Sequence, residues 1–189
     1  MSDELELIGP ELREHIERVL ITSAEIEAKL GGIAERLDRD YAGKELLVVG
    51  VLKGAFVVMA DLARHLTIPV SVDFMAVSSY GSSTKSSGVV RILKDLDADI
   101  EGRHVLLVED IIDSGLTLDY LLKNLRSRRP ATIEVFSLLS KPGKQKVDVD
   151  VRYPGFDVDD VFVVGYGLDF AERYRNLPFI ATLEQSAYS

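Results

Sequence analysis

Hydrophobic residues along this chain change their spacing near residue 42. Before that point they follow a helical repeat, and after it they come mostly in short continuous runs. Residues 11–20, after the Gly9-Pro10 stop, are expected as a helix. A second helix is expected from Thr22, where Glu25 three residues on completes a capping-box pattern. Ile26, Leu30, Ile33 and Leu37 place one face of it against a core, and Gly31-Gly32 weakens its middle. From residue 46 the pattern predicts a strand at 46–52, a helix at 55–66, strands at 70–78 and 89–93, a strand at 105–108, a helix at 116–128 and a strand at 133–139. Residues 146–152 alternate Val with charged side chains, which predicts a half-exposed strand. Buried strands are expected at 161–166 and, as an added edge, at 179–183. Strands apolar on both faces that alternate with helices imply an α/β fold with a mostly parallel central sheet flanked by helices. In such folds ligands sit at the carboxyl ends of the strands, which directs attention to Lys53-Gly54, Glu109 onward, Lys141 and Gly167-Leu168-Asp169.

Composition narrows the functions. The 189 residues contain no cysteine, so a thiolate nucleophile and a Cys-based zinc site are excluded. With 22 Lys+Arg against 31 Asp+Glu the formal charge is −9, which argues against a broad surface for nucleic acid or an anionic membrane. No apolar run approaches the roughly 18 residues of a membrane span. The acidic N-terminus lacks the basic start of a signal peptide, so a cytoplasmic setting is expected. An anionic small molecule is still compatible with this charge, provided that backbone amides, a few cations or carboxylate-bound Mg²⁺ receive it.

The strongest chemical feature is the run 105–117, Val-Leu-Leu-Val-Glu-Asp-Ile-Ile-Asp-Ser-Gly-Leu-Thr. Asp113, Ser114, Gly115, Leu116 and Thr117 open a helix, offering amides and two hydroxyls to a phosphate monoester. Gly115 lets the backbone approach an anion closely. Glu109 and Asp110 repel phosphate, and suit sugar hydroxyls or Mg²⁺. The run therefore calls for a ligand with a phosphate at one end and a polyol in the middle. The bland alternatives are that Asp113 is a plain N-cap and that Glu109-Asp110 is a solvated strand end. No nucleoside-triphosphate P-loop motif is present.

This run resembles the phosphoribosyl-diphosphate signature of the type I phosphoribosyltransferases. Further segments resemble the hypoxanthine(-guanine) branch in order: residues 51–56 around Lys53-Gly54, Val72-Asp73-Phe74 with Ser79-Tyr80-Gly81, residues 137–141 ending in Lys141, and residues 162–169 with Arg175-Asn176-Leu177-Pro178. The resemblance spans residues 46–183 and matches the first 40 only loosely. It implies a single domain with the type I phosphoribosyltransferase fold: a core at about 42–145, a small hood from about 1–41 and 146–189, and a lid at about 79–88. It implies transfer of ribose 5-phosphate from phosphoribosyl diphosphate to N9 of hypoxanthine, with guanine as a further base, in a Mg²⁺-dependent homodimer or homotetramer.

The resemblance also implies roles. Residues 113–117 would hold the 5-phosphate, and Glu109 and Asp110 the ribose hydroxyls, partly through Mg²⁺. Asp113 would be the general base toward N7 of the purine. Lys53, Gly54 and Arg175 would meet the diphosphate, with Arg173 the competing choice for Arg175; in the family the Lys53-Gly54 peptide can be cis, which the sequence leaves open. Asp169 would ligate a second Mg²⁺. Phe162 would stack on the base, its competing reading being a core aromatic, and the Val163 backbone would pair with the base edge. Lys141 would donate to the 6-oxo group, which a 6-amino purine cannot accept. Ser79 and Tyr80 would reach the diphosphate when the lid excludes water. Leu116 stands where some relatives have lysine, a departure that points to a bacterial type of enzyme. His15, His65 and His104 match no catalytic position. The rival readings are a phosphoribosyltransferase for another oxopurine such as xanthine, and a non-catalytic RNA-binding relative, which the charge of −9 disfavours.

Overall fold

The computed structural model describes residues 3–79 and 90–187; Tyr80 and the rest of the expected lid to residue 88, and the side chain of Ser79, lie outside what it describes. The chain runs through a short helix α1 (Pro10–Arg13), β1 (Ile16–Ile21), α2 (Ser23–Asp40), β2 (Leu46–Leu52), α3 (Phe56–His65), β3 (Val70–Ser79), β4 (Val90–Lys94), β5 (His104–Ile112), α4 (Leu116–Arg126), β6 (Thr132–Ser140), β7 (Tyr153–Asp157), β8 (Val163–Val164) and β9 (Ile180–Leu183). Among the described residues, six strands form one sheet in the order β4-β3-β2-β5-β6-β7. All its neighbours pair in parallel except β4, which runs antiparallel to β3. β1, β9 and β8 make a small antiparallel sheet.

Alternation along β2 and β5 accounts for the two-sided core. Leu46, Val48, Leu106 and Val108 pack with α2 and α3, whereas Leu47, Val49, Val105 and Leu107 pack with α4 and Ile100. Successive side chains of a strand face opposite sides, so a strand covered on both faces must be apolar throughout. α2 begins with the expected capping box: Thr22 accepts from the Glu25 amide, and Glu25 accepts from the Thr22 amide at 2.8 Å. The helix continues unbroken through Gly31-Gly32.

Several expectations are corrected. Residues 16–21 are a strand rather than part of a helix. The spacing of Ile16, Val19 and Leu20 suits a helix, but pairing with β9 decides the matter. The segment 179–183 supplies the central strand of the small sheet, not an edge. Residues 146–152 form no ladder. Val149 and Val151 pack against the α4 side of the core, and β7 joins the sheet just afterwards. Only Val163–Val164 of 161–166 is strand. α2, expected within the hood, lies on the larger sheet, and so does β7. Among the described residues the cis peptide is Leu52–Lys53, which answers the question left open at Lys53-Gly54. Among the described residues no helix is long and apolar enough to cross a membrane.

Candidate active site

Three parallel strands end at one edge of the larger sheet. β2 delivers Lys53 and Gly54, β5 delivers Asp113, and β6 delivers Lys141. The segment around β8 brings Phe162, Val163 and Asp169, and Arg175 follows from the next loop. Lys53, Gly54, Asp110, Asp113, Lys141, Phe162, Val163, Asp169 and Arg175 line one cavity of about 440 Å³. Glu109, Asp113, Ser114, Gly115 and Thr117 line a second cavity of about 180 Å³. Asp113 lines both.

β5 extends to Ile112, so Glu109 and Asp110 sit on the ladder instead of beyond it, with Glu109 opposite Ser137. Adjacent strand residues face opposite ways. Glu109 accordingly lines the smaller cavity and Asp110 the larger. Burial, aided by the Asp110 charge, pushes the Glu109 carboxyl well above its usual range. Burial also raises Asp110 to about 6; the amides of Ile111 and of Asp110 itself and the Arg175 charge oppose this, and Asp169 adds to it. Two packed carboxyls with raised proton affinity are a place where a cation is favoured.

Glycines close the inner wall of the larger cavity. A Cβ on Gly54 would collide with the Asp110 carboxylate, and a Cβ on Gly167, whose φ is +102°, would collide with the Gly54 carbonyl. At the smaller cavity α4 starts behind Gly115, which has φ of 78° and supplies no capping side chain, and the Leu116 amide reaches only the Ser114 hydroxyl, at 3.5 Å. The N-cap reading of Asp113 is therefore set aside. The first amides of a helix have no intrahelical partners, which suits an anion. Leu116 begins α4 and lines neither cavity.

The cations are held in different ways. Arg175 pairs with Asp169 at 2.7 Å and donates to the Gly167 carbonyl at 2.8 Å. Its Nε is buried and has no partner among the described residues. Asp169 also accepts from the Glu172 amide at 2.9 Å. Lys53 pairs with Glu172 at 3.0 Å on the open side. Phe162 is 39% exposed and meets Phe170 edge to face at 5.8 Å, so it is not a core aromatic. Val163 is buried in β8. Arg173 lies over the Tyr174 ring and is not among the cavity-lining residues, whereas Arg175 is. Sequence reasoning missed Lys144, Asp160 and Glu172. Lys144 and Asp160 are near the site and pair at 2.6 Å, and the only signal for Lys144 was a second lysine three residues after Lys141.

Residues 20–171 match the family model for the phosphoribosyl transferase domain. A hypoxanthine-guanine phosphoribosyltransferase of Mycobacterium bovis is 52% identical over 179 residues, covering 92% of this chain and 89% of that protein. The chain belongs to the hypoxanthine-guanine phosphoribosyltransferase family. Another relative, a hypoxanthine-guanine phosphoribosyltransferase of Bacillus subtilis, is 50% identical over 177 residues and is covered over 98% of its length. A crystal structure of a hypoxanthine phosphoribosyltransferase from Staphylococcus aureus superposes with a TM-score of 0.93 at 42% identity, covering 96% of this chain and 99% of that one. The type I phosphoribosyltransferase fold expected from residues 46–183 is thus the fold of this chain, and the likeness extends into the N-terminal 40 residues that the motifs matched only loosely.

Proposed function

We propose that this phosphoribosyltransferase transfers ribose 5-phosphate from phosphoribosyl diphosphate to N9 of hypoxanthine and of guanine, releasing diphosphate. One observation carries the reading: two cavities of different chemistry meet at a single carboxylate, Asp113. The smaller takes the 5-phosphate on the helix N-terminus and the hydroxyls of Ser114 and Thr117. The larger takes the purine between Phe162 and Lys141 and the diphosphate beside Lys53, Gly54 and Arg175. This arrangement fixes C1 of the ribose next to N9, which is worth more to the rate than any one contact. As N9 bonds to C1 and the diphosphate leaves, Asp113 takes the proton from N7. Lys141 donates to the 6-oxo group and turns away a 6-amino purine.

Mg²⁺ belongs to the same reading. Among the described residues no three acidic or histidine side chains converge on one point. The donor set nonetheless suits this ion, which is usually held by one or two carboxylates with substrate oxygens and water completing the shell. Glu109 and Asp110 would serve one ion on the ribose side and Asp169 a second, and when bound the ions would neutralise charge on the leaving diphosphate. Ser79 and Tyr80 are proposed to reach the diphosphate from the lid. A cytoplasmic homo-oligomer completes the proposal. The test is to supply Mg²⁺ and phosphoribosyl diphosphate with hypoxanthine, guanine, xanthine or adenine and to follow nucleotide and diphosphate. Nucleotide from hypoxanthine and guanine is expected. A product from xanthine alone would move the specificity, and no product from any oxopurine would refute the proposal.

A further inference from the structure

Lys141 is 8% exposed, and its ammonium has one carboxylate within ion-pair distance among the described residues. A buried ammonium is costly unless a counter-charge stands near it. Here that charge is Asp160, whose Oδ1 is 3.7 Å from the Lys141 Nζ. That distance is too long for a direct hydrogen bond. The same oxygen is already engaged by Lys144 at 2.6 Å. Lys144 is placed by the chain itself: Pro142–Lys144 is a single 3-10 turn, and the Lys144 amide donates to the Lys141 carbonyl at 3.0 Å. Lys141, Lys144 and Asp160 share a recess of about 320 Å³, and the two lysines also line the larger cavity.

We propose that Asp160, braced by Lys144, is a positioning residue for Lys141 and thereby sets the affinity for the 6-oxo group of the purine. The inference rests on the assignment of Lys141 to the base. A carboxylate that accepted from Lys141 directly would compete with the ligand for its N–H groups. With Lys144 occupying Oδ1, Asp160 attracts the Lys141 ammonium but leaves its three donors for a carbonyl in the cavity. Asp160 also lies two residues before Phe162, so one carboxylate ties the end of β6 to the segment that would stack on the base. Asp160 touches none of the reacting atoms in this arrangement; Lys144 also stands 4.0 Å from Asp113 Oδ1, so its substitution is judged by the hypoxanthine KM and not by turnover.

The test varies hypoxanthine and phosphoribosyl diphosphate separately for wild type, Asp160→Asn, Asp160→Glu and Lys144→Gln, and records a thermal melt for each. Asp160→Asn is expected to raise the KM for hypoxanthine about tenfold and to leave that for phosphoribosyl diphosphate within about twofold, the size expected when one charged hydrogen bond is misaligned. Asp160→Glu, which keeps the charge, is expected to recover most of the loss. Lys144→Gln frees Asp160 to bond Lys141 and is expected to raise the same KM at least about threefold, which keeps the idea testable if the Asp160 variants do not fold. A hypoxanthine KM within about twofold of wild type in Asp160→Asn, or a parallel rise in both KM values with a lowered melt, would overturn the positioning role while the proposed function stands. A wild-type protein that forms no nucleotide would instead remove the functional reading, and this inference with it.

Discussion

Gly167 and Gly31 should respond to the same substitution with opposite signs. Gly167 sits at φ of +102°, where an L side chain is strained, and its missing Cβ faces the Gly54 carbonyl. Alanine there adds a backbone penalty of about 1–2 kcal/mol to an overpacking cost of about 1–3 kcal/mol, because the obstructing atom is main chain and cannot swing aside. Gly31 lies inside α2 with no positive φ, and a Cβ added there would meet nothing within 4 Å. Alanine there should stabilise the helix by about 0.8–1 kcal/mol. For a domain of this size each kcal/mol moves the melting temperature by roughly 2–4 °C. Gly167→Ala should therefore melt about 4–20 °C lower, and Gly31→Ala about 2–4 °C higher. Differential scanning calorimetry of the three proteins measures both. The Gly167 variant should also bind phosphoribosyl diphosphate more weakly, because Gly54 and Asp110 stand directly behind the contact. A Gly167→Ala melt within about 1 °C of wild type would refute the close approach of the residue 165–169 loop to Gly54.

Asp110 predicts an unusual pH response in metal-free protein. Its carboxyl is raised from 3.8 to about 6, so the folded state binds the proton more tightly than the unfolded one. Stability from this group is fully present below about 4 and is lost as pH rises through about 6. Asp110→Asn should thus be more stable than wild type at pH 7.5 in chelator, and the gap should close as pH falls to 4; denaturant melts at both pH values check it, and a constant gap would contradict the assignment. Tyr153→Phe removes the hydroxyl donated to Asp40 at 2.7 Å, and should cost about 1–2 kcal/mol in the same melts while sparing turnover.

The parts of the fold that were legible in the sequence are those where local pattern and tertiary role agree. β2 and β5 read as strands because both faces are buried, and α2 declared itself through Thr22, Glu25 and the spacing of Ile26 to Leu37. β1 was hidden because Ile16, Val19 and Leu20 fit a helical spacing, and only its distant partner β9 makes it a strand. The Val alternation at 147, 149 and 151 does record alternate burial, with Val149 and Val151 against the core beside α4 and none of the three within a ladder. At the site, the residues that the motifs single out do come together at one edge of the sheet. The opposite facing of Glu109 and Asp110 depends on how far β5 extends, and the Lys144–Asp160 pair depends on a contact between segments 16 residues apart. Neither is written in local spacing.

The central claim is that transfer takes place where the two cavities meet, at Asp113. Asp113→Asn keeps the size of the side chain and removes its ability to take a proton. Turnover with hypoxanthine should fall by about 10²–10⁴-fold, while phosphoribosyl diphosphate, titrated by calorimetry with Mg²⁺, should bind as it does to wild type. A variant that turns over at the wild-type rate would contradict the account.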